Sequence, residues 1–343
     1  MPDRTDEDLA GKPPVRPTIA LVANIAGVSK TTVSHVLSGR RPVAPETRAR
    51  VERAVEELGY RPNSFARSLR LRRSHTVALI IPDITNPFFP VLARGFEDEL
   101  NASGYRTFIC NTDAKREQEL AFAWEAFHRQ VDGIAIVALA IDAADVIDLI
   151  DRGVPLISIG GHLHHPGVDV VVADDETGAY DATTHLLRRG CERVAMIRGS
   201  EGTGTERVQG YLRALDDDGV PRDPQLMIEG DWTGSGGGAA MMRLLSLPDP
   251  PDGVFCANDL MAIGALSAAR DAGLRVPDDL AVVGYDDIEA AALVHPALTT
   301  VLNPAYGTGA VAARLLLDRM TGAAGGERRR TVLPCKLIVR ATA

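Results

Sequence analysis

"AGVSKTTVSHVLSGRR", residues 26–41, decides how this chain is read. It carries Lys30, Arg40 and Arg41, five Ser/Thr hydroxyls and one histidine, with no carboxylate, in a chain whose net charge is −9. Just upstream, Thr18 is suited to cap a helix in which Ile19, Val22, Ala23 and Ala26 recur at helical spacing. Gly27 can take the positive φ that ends a helix sharply, and Ser29 can cap a second one. With Val33, Val36 and Leu37 turned inward, Lys30, Thr31, Ser34 and His35 face out. Ser38-Gly39 closes that helix, and Pro45 opens a third with Val51, Ala54, Val55 and Leu58 on one face. Helix, tight turn, helix and supporting helix is a helix-turn-helix module, whose second helix presents its first residues to base edges in the major groove.

Charge is segregated in the same sense. Residues 16–74 hold 12 Lys/Arg against 4 Asp/Glu, whereas residues 75–343 hold 23 against 38. A small basic module on a large acidic one predicts a polyanionic partner for the first part only. Cys110, Cys191, Cys256 and Cys335 are far apart and fit no metal-binding spacing, which predicts buried thiols in a reducing compartment. The opening "MPDRTDEDLAGKPPVRP" has no apolar core of a signal peptide, and no apolar run is long enough to span a bilayer. The expectation is a cytoplasmic protein without membrane partners, with a disordered tail over residues 1–15.

From Thr76 the pattern changes. Continuous β-branched runs such as "TVALIIPD", "YRTFICN", "VDGIAIVA", "VPLISIG", "VDVVVAD", "RVAMIRG", "GVFCAND" and "LAVVGYD" alternate with segments of helical period, among them residues 88–103, 179–189, 208–217 and 260–272. Such runs predict strands buried on both faces. The alternation predicts doubly wound parallel sheets, and nine or ten units predict two lobes. Polar residues cluster after the strands, where open α/β sheets bind ligands.

The segment from Thr18 to Leu69 resembles the DNA-binding headpiece of the lactose/galactose repressor (LacI/GalR) family, "TTVSHV" being similar to its purine-repressor branch. "DITNPFFPVLARGFEDELNASGY", "ANDLMAIGALSAARDAGLRVPDDLAVVGYDD" and "HPALTTV" resemble that family's effector domain, a relative of periplasmic sugar-binding proteins. The resemblance implies an all-α helix-turn-helix headpiece (16–62), a hinge helix (63–74) and a two-lobed, type I periplasmic-binding-protein-like α/β domain for effector binding and dimerisation (75–343). Lobe 1 would take about 75–173 and 303–331, and lobe 2 about 174–302 and 332–343. It implies DNA contacts from Thr18, Ser29, Lys30, Thr31, Thr32, Ser34, His35 and Arg41. Hinge contacts would come from Asn63, Ala66, Leu69 and Arg70, with Leu69 wedging a base step in the minor groove. An effector would meet Phe88, Phe89, His162, Thr203, Arg207, Trp232, Asn258 and Asp286. Two departures stand out. Ala20-Leu21 replaces a polar or acidic pair, and Gly160-Gly161-His162 replaces the strand-end Asp of many sugar-responsive relatives.

"GSGGGA" (residues 234–239) superficially matches a dinucleotide fingerprint, but Trp232-Thr233 intervenes after the strand and no acidic residue closes the next one. The "HLHH" of His162, His164 and His165 lacks partnering ligands for a metal. The reading is therefore not an enzyme, and has no catalytic residues, no cofactor and no metal. A solute-binding protein or a nucleotide-dependent enzyme on the same scaffold is the alternative. The expected protein is a homodimeric repressor that binds a near-palindromic DNA operator. It pairs through the lobes and is controlled by a sugar-like or nucleoside/purine-like small molecule.

Overall fold

The computed structural model describes residues 17–39, 41–60, 73–161, 163, 165–200 and 202–343. The tail (1–15), the hinge positions Asn63, Ala66, Leu69 and Arg70, and His162 and His164 lie outside the described residues. The chain divides into two compact units, residues 1–74 and 75–343.

In the first unit, α1 (Ile19–Ala26), α2 (Lys30–Ser38) and α3 (Pro45–Leu58) enclose a core of Val22, Ala23, Ala26, Val33, Val36, Val51 and Ala54. Gly27 turns the chain between α1 and α2 at φ 63°, a conformation costly for any residue with a Cβ. Leu37, expected to face inward, is 37% exposed. The core takes Val33 and Val36 from α2, and Leu37 is not part of it.

The second unit holds two parallel sheets. Lobe 1 has the order β11-β5-β4-β3-β1-β2, built from β1 (Thr76–Ile81), β2 (Arg106–Asn111), β3 (Gly133–Val137), β4 (Leu156–Ile159), β5 (Asp169–Ala173) and β11 (Arg330–Leu333). Lobe 2 has the order β7-β6-β8-β9, from β6 (Val194–Arg198), β7 (Met227–Glu229), β8 (Gly253–Cys256) and β9 (Ala281–Val283). Helices α4 (Phe88–Ala102), α5 (Arg116–His128), α6 (Ile147–Asp151) and α12 (Ala305–Thr321) pack on lobe 1. On lobe 2 lie α7 (Asp175–Arg188), α8 (Thr205–Asp217), α9 (Gly234–Leu245), α10 (Asp259–Asp271) and the short α11 (Glu289–Leu293). The chain crosses between lobes three times: after β5, after β10 (Thr300–Leu302), and between β11 and β12 (Lys336–Ile338). The last crossing falls after Leu333, two residues beyond the expected boundary at about 331, because β11 stays paired with β5 through Leu333↔Ala173.

Strands β1, β3 and β4 are buried on both faces, as expected for parallel strands covered by helices. β2 departs from that expectation. It pairs with β1 alone, at the sheet edge, and leaves Phe108 53% and Ile109 48% exposed. The four cysteines are free thiols, but Cys256 alone is fully buried, the other three being half-buried on the flanks of the cores. Among the described residues no helix is long and apolar enough to cross a membrane.

Candidate functional site

The helix-turn-helix is held by its caps. Thr18 Oγ1 accepts from Leu21 N at 3.3 Å, and Ser29 Oγ accepts from Thr32 N at 3.0 Å. Ser29 and Thr32 hydroxyls also share a bond of 2.9 Å, so both serve to start α2. Lys30 and Thr31, its first two residues, are exposed, and Ser34 and His35 are partly exposed on the next turn. No acidic residue lies in the first turn of α1 or α2. Arg41 is exposed just beyond the helix. The result is a protruding helix end with a cation, hydroxyls and an imidazole, free of charges that would repel phosphate.

The second unit holds a cavity of about 570 Å³ between the lobes, beyond the carboxyl ends of both sheets. Phe88, Phe89, Thr203, Arg207, Trp232 and Asp286 all line it. Phe88 and Phe89 open α4 and meet edge to face, 5.3 Å between ring centres. Across from them, Trp232 lies against Gly199, where a side chain would sit 1.9 Å from the indole, so the strand end must be glycine. Trp232 Nε1 donates to Thr203 Oγ1 at 3.2 Å. Trp232 and Asp286 have φ of 67° and 111°, a strain held in place by the loops that aim them into the cavity.

Arg207 is the central cation. Its guanidinium lies 3.8 Å from the Tyr285 ring centre and 5.8 Å from that of Trp232. Nε donates to Asp175 at 3.0 Å, Nη1 to the Ala257 carbonyl, and Nη2 lies 3.5 Å from Asp286 Oδ1. Burial works against its charge, but Asp175 and Asp286 outweigh it and hold the guanidinium ionised. Asp286 accepts from Asn303 Nδ2 at 3.1 Å. Burial pushes its carboxyl up to about 6, against the pull of Arg207 and Asn303. Beneath it, burial and the nearby Asp286 push Asp259 up to about 8, although Thr300 Oγ1 (2.5 Å) and Ile288 N (2.9 Å) donate to it.

Asn258 is placed differently from the expectation. It is 1% exposed and does not line the cavity: Oδ1 caps α10 by accepting from Met261 N at 2.9 Å, and Nδ2 donates to the Trp232 carbonyl at 2.9 Å. A strand-end Asn is consumed by the helix that follows, and it acts here by fixing the tryptophan loop. The end of β4 itself supplies Gly160 and Gly161 and no carboxylate, but Glu206 Oε1 from α8 reaches this wall, 3.2 Å from where a Gly161 Cβ would sit. Asp175, Asn303 and Thr308 also line the cavity and were not picked out from the sequence. A polar residue at a lobe crossover, as in "LNPAYGT", is the signal that points to Asn303 and Thr308.

Comparison with known proteins follows the same lines. Residues 18–63 match the model of bacterial regulatory proteins, lacI family, and residues 183–343 that of a periplasmic binding protein-like domain. The HTH-type transcriptional repressor CytR of Escherichia coli (strain K12) is 37% identical over 325 residues, 94% of this chain and 95% of that one. The structure of the transcriptional regulator CelR in complex with cellobiose superposes with a TM-score of 0.72 at 36% identity, over 96% of this chain and 100% of that one. The lac repressor dimer bound to operator and the anti-inducer ONPF superposes with a TM-score of 0.84 at 27% identity, over 95% and 98%.

Proposed function

Since this chain belongs to the lacI family of bacterial regulatory proteins and is a DNA-binding transcriptional repressor, we propose that it is an effector-controlled switch acting as a cytoplasmic homodimer. Two headpieces (residues 16–62) read the half-sites of a near-palindromic operator, with Lys30, Thr31, Ser34, His35 and Arg41 toward the DNA and Thr18, Ser29 and Thr32 setting the helix starts. Residues 63–74 form the hinge, with Asn63, Ala66, Leu69 and Arg70 toward the minor groove. Residues 75–343 bind the effector and pair the subunits, the exposed Phe108 and Ile109 of β2 supplying apolar contact area.

The effector occupies the inter-lobe cavity among Phe88, Phe89, Thr203, Arg207, Trp232 and Asp286, and His162, outside the described residues, is the further contact expected from the family resemblance. A sugar-like or nucleoside-like molecule suits aromatic walls and an Arg–Asp pair in a cavity of about 570 Å³. The cavity bridges both lobes, so its occupant interacts differently with open and closed arrangements. A ligand shifts an equilibrium only through such a difference. The observation that carries this reading is the Ser29-capped, carboxylate-free α2 on the same chain as that cleft.

Selection of DNA from a random library, followed by titration of the selected duplex with and without candidate effectors, tests it. A near-palindromic site whose affinity responds to a cleft ligand is expected. Selection of no sequence, or of a site indifferent to every ligand that quenches Trp232, would refute it.

A further inference from the structure

The carboxylates around the cleft are numerous. Asp83, Asp113, Asp175, Glu206, Asp231 and Asp286 line it, and Arg207 is the one Lys or Arg among its described lining residues. That guanidinium is already held between Asp175 and Asp286 and bonded to a carbonyl. Outside the lining, Lys115 lies 3.4 Å from Asp113. No described cation pairs with Asp83, Glu206 or Asp231. Helix N-termini face this side of both sheets, but side chains already occupy several: Thr233 Oγ1 caps α9 and Asn258 caps α10.

A second observation is independent of charge. Asn303 Oδ1 and Thr308 Oγ1 are buried without a hydrogen-bond partner, in residues 5% and 4% exposed, and both residues line the cavity. Asn303 spends its amide N–H on Asp286, which leaves its carbonyl oxygen as an acceptor. Buried polar atoms left so are costly unless a ligand completes them.

We infer that the cleft selects an uncharged effector and turns away the phosphorylated form of the same compound, with Asn303 and Thr308 seating one of the effector's hydroxyl or amide groups. This rests on the cleft being the effector site. Uncharged O–H and N–H donors satisfy both the lining carboxylates and Asn303 Oδ1. A phosphate dianion meets those carboxylates with no unpaired Lys or Arg among the described lining residues to receive it. In so enclosed a space the repulsion is weakly screened.

Two experiments on the full chain test it. In the Trp124→Phe variant, which removes the tryptophan packed on Phe127 away from the cleft, emission reports Trp232. At low ionic strength caesium should quench it at least about threefold more efficiently than iodide, each scaled to free indole, and salt should close the gap. Iodide quenching as well as caesium would overturn the charge selection, whether or not a ligand is found. In the second, calorimetry compares ribose with ribose 5-phosphate, cytidine with its monophosphate, and adenosine and guanosine with theirs. The uncharged member of any binding pair should bind at least about tenfold tighter. A tighter phosphorylated member that quenches Trp232 would overturn the charge selection alone. Thr308→Val should bind the same ligand several-fold more weakly at unchanged or higher Tm, because the hydroxyl it removes has no partner. Full affinity in that variant would overturn the seat. If neither Thr308→Val nor Trp232 emission responds to a ligand that binds, the cleft reading beneath the proposal falls as well.

Discussion

Replacing Arg207 with alanine should separate the cleft from the DNA-reading unit. Arg207 is 9% exposed, and its guanidinium lies between Asp175 and Asp286, the latter also 9% exposed. Its removal leaves Asp286 buried with Asn303 as its remaining donor. Deleting one partner of a buried pair costs about 3–5 kcal/mol, and losing the cation stacked on Tyr285 adds on the order of 1 kcal/mol. The loss is limited by protonation. The folded Asp286 carboxyl, already raised from 3.8 to about 6, rises further without its cation. An acid held above its unfolded value favours folding below that value and loses this contribution as pH climbs toward the folded one. Arg207→Ala should therefore be most destabilised near pH 7.5 and less so at pH 5.5, and adding Asp286→Asn should restore part of the loss. Urea unfolding followed by Trp emission and circular dichroism reads this out. A cost below about 1 kcal/mol at pH 7.5, equal at both pH values, would refute the reasoning, since a buried unpaired carboxylate cannot be so cheap.

Other consequences follow from single contacts. Asp259 sits at about 8 in the fold against 3.8 unfolded, so thermal stability should fall as pH rises from 4 to 8, and Asp259→Asn should flatten that profile; an unchanged slope would place the titration elsewhere. Gly199→Ala puts a carbon 1.9 Å from the Trp232 ring, so effector affinity should drop at least about tenfold while operator affinity holds, as calorimetry and anisotropy would show. Ser29→Ala removes the 3.0 Å cap of α2 and should cost about 1 kcal/mol of headpiece stability in thermal unfolding. His35→Ala should cost roughly 1–3 kcal/mol on the operator and little on random DNA in anisotropy titrations, equal losses meaning that it touches only phosphate.

The headpiece was legible because its signals are local. Thr18, Gly27, Ser29 and Pro45 each act within one turn, and the fold has a cap, a left-handed turn, a cap and a first-turn proline there. The alternation of strands and helices was equally plain, since parallel strands need apolar residues on both faces. What failed depends on neighbours distant in sequence. Phe108 and Ile109 read as core, yet β2 is an edge strand, and only the pairing order reveals that. Leu37 has helical spacing but stays exposed outside the headpiece core. Asn258 and Asp286 look alike as polar strand ends; the first is taken by a helix cap and a tryptophan carbonyl, whereas the second reaches the cavity because its backbone turns through φ 111°. Asn303 and Thr308 arrive in the cleft by a lobe crossover, so their signal is the crossover segment "LNPAYGT" and not the strand ends where the other cleft residues were sought.

The central claim is that one chain couples a DNA-reading helix to a ligand cleft. The measurement that tests it most directly is anisotropy titration of the full chain on its selected operator and on random DNA at fixed salt, with and without a ligand that quenches Trp232. The account predicts operator binding at least about 10³-fold tighter than random DNA. The ligand should change operator affinity by about 5–150-fold, and Trp232→Ala should abolish that change but not operator binding in its absence, if the ligand is an inducer; for a corepressor, the variant should bind operator weakly at every ligand concentration. Equal affinity for operator and random DNA, or an operator affinity that the ligand leaves untouched, would contradict it.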